Sequence, residues 1–196
     1  MTRENMILRS YNLFLDTTGS DFVLVLFDIN NKVIDNRIHY NYKKKVDLLV
    51  LEFENLLIKN NLEISNVKGL YLNLGPGFFT GVRTAFVFFR TLALLNEIEF
   101  YTTTTFELLN KQILDEPFLY IDAQGNKLYC FDVLKFKQNK DYINAIKVVE
   151  KQNQNVSKIN YDLMLQDFGS FIELFQIQQP MQVEPIYIKK PQIGGL

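Results

Sequence analysis

Continuous and periodic apolar runs divide this chain into short strands and two long helices. Asn12–Asp16 is a brief apolar run, and Phe22–Asp28 is apolar almost throughout, which predicts a central strand covered on both faces. Asn30-Asn31 then marks a hairpin, with Val33–Tyr40 returning as a third strand. Within Val46–Lys59 the residues Val46, Leu49, Val50, Phe53, Leu56 and Leu57 recur at helical spacing, so a helix packs this stripe on the sheet. Leu48, Leu51, Asn55 and Ile58 form a second, offset stripe bordered by Asp47 and Glu54. Gly69–Leu74 is a further strand, and Thr80–Leu95 is a second helix. In that helix Val82, Ala85, Phe86, Phe89, Leu92 and Ala93 face inward, and Phe88 and Leu95 widen the face. Val87 and Leu94 lie apart, among Arg83, Arg90 and Thr91. A helix apolar on two sides is usually covered on both. The cover is either a later part of the same chain or a partner helix pair, whose carboxylates would meet Arg83 or Arg90 at the rim.

Further along, Ile98–Thr102 is a strand, and the capping box Thr104-x-x-Glu107 opens a short helix that ends near Ile113. Pro117–Asp122 and Leu128–Phe136 are expected as strands joined at Gln124-Gly125-Asn126. Tyr142–Val149 follows as another strand, Gln152–Ser157 as loop, and Leu163–Phe175 as a helix broken near Gly169-Ser170. Val183–Lys190, with Pro185 inside it, suits an edge strand or extended segment. The expected organisation is an N-terminal lobe of residues 1–114 and a shortened C-terminal lobe of residues 115–196.

Two turns carry the candidate chemistry. Gly75-Pro76-Gly77 joins a strand to the second helix, with Thr80 as the expected N-cap. Glycine-rich backbone at a helix N-terminus can cradle an anion, or the strand simply turns sharply there; no lysine follows in the P-loop manner. Asp16-Thr17-Thr18-Gly19-Ser20 ends the first strand, where Asp16 either holds a metal-bound water or caps the turn with its own carboxylate.

At 196 residues, 47% hydrophobic and 22% charged, the chain is a folded globular protein of one domain or two lobes. A net charge of −1 argues against its being the main surface for an RNA, which needs clustered cations. Lys43-Lys44-Lys45 is expected as a solvated helix entrance. Cys130 stands alone, which excludes an intramolecular disulfide and fits a reducing compartment. No signal-peptide block opens the sequence, and Val82–Leu95 is too short to span a bilayer, so a cytoplasmic, soluble protein is expected. His39 is the only histidine, which excludes a paired-histidine metal site and leaves it a structural role in its strand. No Ser-His-Asp set can be assembled, and Asp167-Phe168-Gly169 lacks the motifs that accompany the kinase triplet.

Gly75, Pro76, Gly77, Phe79, Thr80, Gly81 and Arg83 spell Gly-Pro-Gly-x-Phe-Thr-Gly-x-Arg, which resembles the signature of the TsaB (YeaZ) family of tRNA threonylcarbamoyladenosine synthesis. Leu15-Asp16-Thr17-Thr18 is similar to that family's Ile-Asp-Thr-Ser turn, and Thr105-Phe106-Glu107-Leu108 to its Ser/Thr-Leu helix start. Ile121-Asp122-Ala123 with Gly125 and Leu128-Tyr129 resembles its second hairpin, and Glu184-Pro185-Ile186-Tyr187-Ile188-Lys189 its ending. Lys137–Pro180 carries no match, and Lys43-Lys44-Lys45 stands where members often have a histidine. The resemblance implies an α/β, actin-like ATPase (ASKHA, ribonuclease H-like) fold of two small lobes, each with a mixed sheet and flanking helices. It implies no catalytic residue, no metal and no cofactor of the chain's own, with Asp16, Thr17 and Thr18 a relic phosphate loop and ATP and magnesium belonging to partners. Those partners are TsaD, which transfers the threonylcarbamoyl group to the adenosine beside the anticodon, and the ATPase TsaE; tRNA is met only through the complex. Leu48, Leu51, Asn55, Ile58, Val87, Arg90 and Leu94 are the expected contact, which a homodimer would use when the chain is alone. The competing expectation is an independent ATPase or kinase holding a magnesium nucleotide at Asp16, Thr17 and Thr18; a peptidase is a third.

Overall fold

The computed structural model describes residues 10–189; Lys190 and both chain ends lie outside them. Three strands open the fold, β1 (Tyr11–Asp16), β2 (Phe22–Asp28) and β3 (Val33–His39), followed by helix α1 (Lys45–Lys59) and strand β4 (Val67–Asn73). Helix α2 (Phe79–Asn96), strand β5 (Glu99–Thr103) and helix α3 (Thr105–Gln112) complete the first part. The second part holds β6 (Phe118–Asp122), β7 (Lys127–Asp132), α4 (Val133–Asn139), β8 (Ile146–Glu150), α5 (Tyr161–Gln166), α6 (Phe168–Ile172) and β9 (Gln176–Gln178).

The first sheet runs β3-β2-β1-β4-β5-β9. Hairpins join β1, β2 and β3 antiparallel, whereas α1 and α2 are the crossovers that return β4 and β5 parallel to β1. Side chains alternate across the sheet, so β1 sends Leu13 and Leu15 to one face and Phe14 to the other. On the first face Leu13, Leu15, Leu26 and Leu70 meet Leu49, Phe53 and Leu56 of α1 and Ala85, Phe86 and Phe89 of α2. On the second face Phe14, Val25, Phe27 and Tyr71 meet Tyr161 and Met164 of α5 and Phe168 and Phe171 of α6. The chain therefore returns to its first sheet after building the second one. β9 then pairs antiparallel with β5 at the edge, a strand that the polar triplet Gln176-Ile177-Gln178 did not announce.

The second sheet, β6-β7-β8, is antiparallel over a third core containing Phe106, Leu109, Leu119, Ile121 and Phe131. The strand expected to run to Phe136 stops at Asp132. There the Asp132 carboxylate accepts from the Lys135 N–H at 2.9 Å and caps α4, which turns Val133 and Phe136 onto a helix. The expected capping box is present: the Thr104 hydroxyl accepts from Glu107 N–H at 3.3 Å, and Glu107 accepts from Thr104 N–H at 3.0 Å. The break between α5 and α6 falls at Asp167 rather than Gly169-Ser170, because Asp167 leaves the helical region at φ −131, ψ 45. Residues 183–189 join no strand ladder and bend at Ile188-Lys189, and Ile186 N–H donates to the Leu74 carbonyl at 2.9 Å. No helix among the described residues is long and apolar enough to cross a membrane.

Candidate functional site

The two turns singled out in the sequence come together where β1, β4, α1, α2 and α3 meet. Asp16 is fully buried at the end of β1. Its Oδ1 accepts from the Thr18 N–H at 2.8 Å and the Thr18 hydroxyl at 2.7 Å, and its Oδ2 accepts from the Asn73 amide at 2.7 Å. The carboxylate thus caps its own turn, the plainer of the two expectations. Burial pushes its pKa up, and the bonds from Asn73, Thr18 and Tyr161 pull the other way without cancelling that rise. Across the same cluster Asn73 accepts from Gly75 N–H at 2.9 Å, and the Thr105 hydroxyl donates to the Pro76 carbonyl at 2.9 Å.

The Gly-Pro-Gly turn faces this cluster at very close range. A Cβ at Gly77 would run into the Thr18 carbonyl oxygen, and one at Gly81 into that of Thr17. Phe78 N–H donates to the Thr18 carbonyl at 2.7 Å, and the Thr17 hydroxyl donates to the Gly81 carbonyl at 2.8 Å. The start of α2 is therefore packed directly against the chain's own Thr17-Thr18 turn. With both Asp16 oxygens also engaged inside the chain, this set does not fit a magnesium nucleotide. Beside it, a cleft of about 320 Å³ lies between the lobes, walled by Ser20, Asp21 and Phe78 on one side and Ile121, Lys151 and Lys158 on the other. Among the described residues, no group of three or more His, Cys, Asp or Glu side chains is placed to hold a metal ion.

Three expectations need correction here. Helix α2 starts at Phe79 with Phe78 at the N-cap and no side-chain cap; Thr80 is exposed within the first turn, where its carbonyl accepts from the Thr84 hydroxyl at 2.8 Å. Lys45 is buried, not solvated, and donates to the carbonyls of Thr17, at 3.0 Å, and Gly19. Leu48 is buried at 7% exposure rather than presented to a partner, while Val46 and Val50 are exposed. Glu52, one turn on from Leu48, is on the same buried face and meets Arg37 Nε at 3.4 Å and His39 Nε2 at 2.8 Å on β3.

The other residues expected at a contact are open. Leu51 is 52% exposed, Ile58 72%, Val87 46% and Leu94 47%, with Asn55 exposed as well. Leu95, expected to widen the inner face, is exposed too, because α2 ends one residue later where Glu97 turns left-handed at φ 54. The two helices lie side by side, with Phe53 of α1 and Phe88 of α2 in edge contact at 5.3 Å. Arg90 is turned to the chain's own tail: its guanidinium lies 4.6 Å from the Phe86 ring centroid and 3.8 Å from Glu184. Arg83 is exposed beside the Phe79 ring. Asn73, Thr105 and Lys45 are the site residues that sequence reasoning missed. An asparagine two positions before Gly75 is a local turn signal that could have flagged the first.

The family model described as TsaD: tRNA N6-adenosine threonylcarbamoyltransferase matches residues 41–181. The chain belongs to this family. Its fold is that of the YeaZ (TsaB) proteins. YeaZ from Pseudomonas aeruginosa superposes with a TM-score of 0.60 at 16% identity, covering 91% of this chain and 99% of that one. A structure titled as an uncharacterized protein with similarity to peptidase YEAZ from Pseudomonas aeruginosa gives a TM-score of 0.63 at 16% identity, covering 92% and 100%. These likenesses bear out the α/β, actin-like ATPase fold. In sequence the chain is 24% identical to the uncharacterized protein MG208 of Mycoplasma genitalium, over 94% of this chain and 97% of that protein. It is 26% identical to the MG208 homolog of Mycoplasma pneumoniae, over 92% and 96%.

Proposed function

We propose that this TsaD-family chain is a non-catalytic partner that binds and activates TsaD in forming threonylcarbamoyladenosine in tRNA, beside the anticodon. Membership of the family supports a role in tRNA modification. The observation that carries the finer reading is the pair of uncovered apolar stripes on α1 and α2: Leu51 and Ile58 on one helix, Val87 and Leu94 on its neighbour. Burying aliphatic side chains of this kind against a second helix pair gains about 25 cal/mol for each Å² removed from water. A related fold would bring an equivalent helix pair, and the same face would serve a homodimer when TsaD is absent. On this reading ATP and magnesium belong to TsaD and TsaE, the chain meets tRNA only within their complex, and the assembly works in the cytoplasm. The closed Asp16–Gly77 cluster is the reason for assigning the nucleotide chemistry to partners.

The test is co-elution with TsaD from the same host. Substituting Leu51→Glu and Val87→Glu together places two charges on the stripes and should abolish co-elution, with circular dichroism unchanged. Retained co-elution would refute the placement of the contact. Calorimetry of the isolated chain with ATP and magnesium separates the enzymatic alternative, since an ATPase acting alone would bind at about micromolar strength.

A further inference from the structure

We propose that the Lys45 ammonium is a cation built into the chain, which fixes the start of helix α1 against the Thr17–Gly19 turn and so sets the face that α1 and α2 present to a partner. This rests on the docking reading above and adds what holds that face in shape.

Lys45 is the first residue of α1, the end of a helix where the aligned peptide dipoles disfavour a positive charge. Its side chain is nevertheless buried, with 7% of the residue exposed, while Lys43 and Lys44 beside it stay in water. A buried charge in an unfavourable field needs compensation from several directions. The structure supplies it. Nζ donates to the Thr17 carbonyl at 3.0 Å and to the Gly19 carbonyl, and lies 5.1 Å from the centroid of the Phe78 ring. An ammonium has three protons, and two carbonyls and an aromatic face account for them. Burial lowers the pKa of this amine, and the carboxylates of Asp16 and Asp21 act against that fall. Backbone carbonyls converging on one buried positive charge are the chemistry of a cation site, here filled through a tether.

The consequence follows from what else the turn holds. Thr17 bonds to Gly81 and Thr18 to Phe78, both in the leading backbone of α2. One short turn therefore locks the first residue of α1 and the start of α2 together. Further along, the helices meet at Phe53 and Phe88, a contact between side chains that tolerates sliding. The offset of the two stripes is thus set at the Lys45 end, although Lys45 itself lies beneath the surface.

Lys45→Ala removes the side chain beyond Cβ, which propylammonium matches in shape and charge and propanol matches in shape alone. Binding to TsaD by calorimetry should weaken by about tenfold or more, as expected when the geometry of an apolar contact is lost. Propylammonium should restore the affinity and raise the variant's melting temperature, and propanol at the same concentration should do neither. Unchanged affinity in Lys45→Ala, or equal rescue by propanol, overturns the proposal. If the variant folds only when the amine is present, that too supports it, and failure to fold even with the amine counts against it. Should the unaltered chain not bind TsaD, the docking reading fails instead, and the melting temperatures still decide what the amine does.

Discussion

Asn73→Leu is the sharpest probe of the buried polar cluster, because it keeps the number of side-chain heavy atoms and removes every hydrogen bond that the side chain makes. The amide donates to Asp16 Oδ2 at 2.7 Å and to the Thr18 hydroxyl at 3.2 Å, and its oxygen accepts from Gly75 N–H at 2.9 Å. Leucine would leave one carboxylate oxygen and one backbone N–H buried without partners. At about 1–3 kcal/mol for each unsatisfied group, more where it is charged, the loss is about 4 kcal/mol. For a chain of this size that corresponds to a melting temperature lower by about 8–16 °C. The effect should also depend on pH. Asp16 has its folded pKa raised above 3.8, so its contribution to stability is complete below that value and is lost as pH rises through the folded value. Asn73 is one of the donors that hold this rise in check, and its loss raises the folded pKa further. The penalty should therefore fall near pH 3.8 to the share of the orphaned Gly75 N–H, which does not titrate, and be largest at neutral pH. Urea unfolding of both proteins across that range measures it. A loss under about 1 kcal/mol at neutral pH, below the cost of even one orphaned group, would refute the reasoning, as would a loss independent of pH.

The glycines give a second comparison. Gly77→Ala and Gly81→Ala drive a Cβ into backbone carbonyls that cannot step aside, and each should cost about 1–3 kcal/mol. Gly19→Ala meets nothing within 4 Å and should change stability by about 0.5 kcal/mol or less; thermal melts that fail to separate the two kinds would contradict the packing. Asp35 supplies a third. Burial raises its pKa, but the Lys59 amine, the Asn60 amide, the Asn36 N–H and Arg37 outweigh that and hold the carboxyl down to about 2. Its contribution is present above the ordinary value of 3.8 and lost as pH falls toward about 2. Asp35→Asn should flatten the acid limb of the stability curve over that interval, which a pH series of melting temperatures would show.

What could be read from the sequence was whatever a run of apolar side chains decides locally. The strands before Asn73 and the two long helices declare themselves through period and length, and the hairpins through their Asn and Gly turns. Side chains whose partners are distant in sequence stayed hidden. Nothing local marks Glu52 as an inward residue of α1, because its partners Arg37 and His39 lie on β3, more than ten residues away in sequence. Lys45 looked like part of a charged run, since nothing local shows that two carbonyls near residue 18 will reach its amine. Val133–Phe136 kept an apolar pattern that suits strand or helix, and the Asp132 cap decided between them. Gln176–Gln178 had no pattern, because a three-residue edge strand is fixed by the neighbour it lies beside.

The glycine spacing that makes the Gly75–Gly81 stretch distinctive has a physical cause that bears on function. Gly75 is needed for its positive φ of 92, whereas Gly77 and Gly81 are needed because the carbonyls of Thr18 and Thr17 press where a Cβ would be. Bare backbone of this kind will admit either an anion or another stretch of backbone, and here the chain's own turn has entered. Both cannot occupy the same space. The turn that fills the cradle gives α1 and α2 a common anchor at the end of β1. A partner that meets these helices then finds them already aligned, and little of its binding free energy is consumed in ordering them. On the proposed reading, the filled cradle and the preformed docking face are one structural feature, centred on two glycines and the turn they receive.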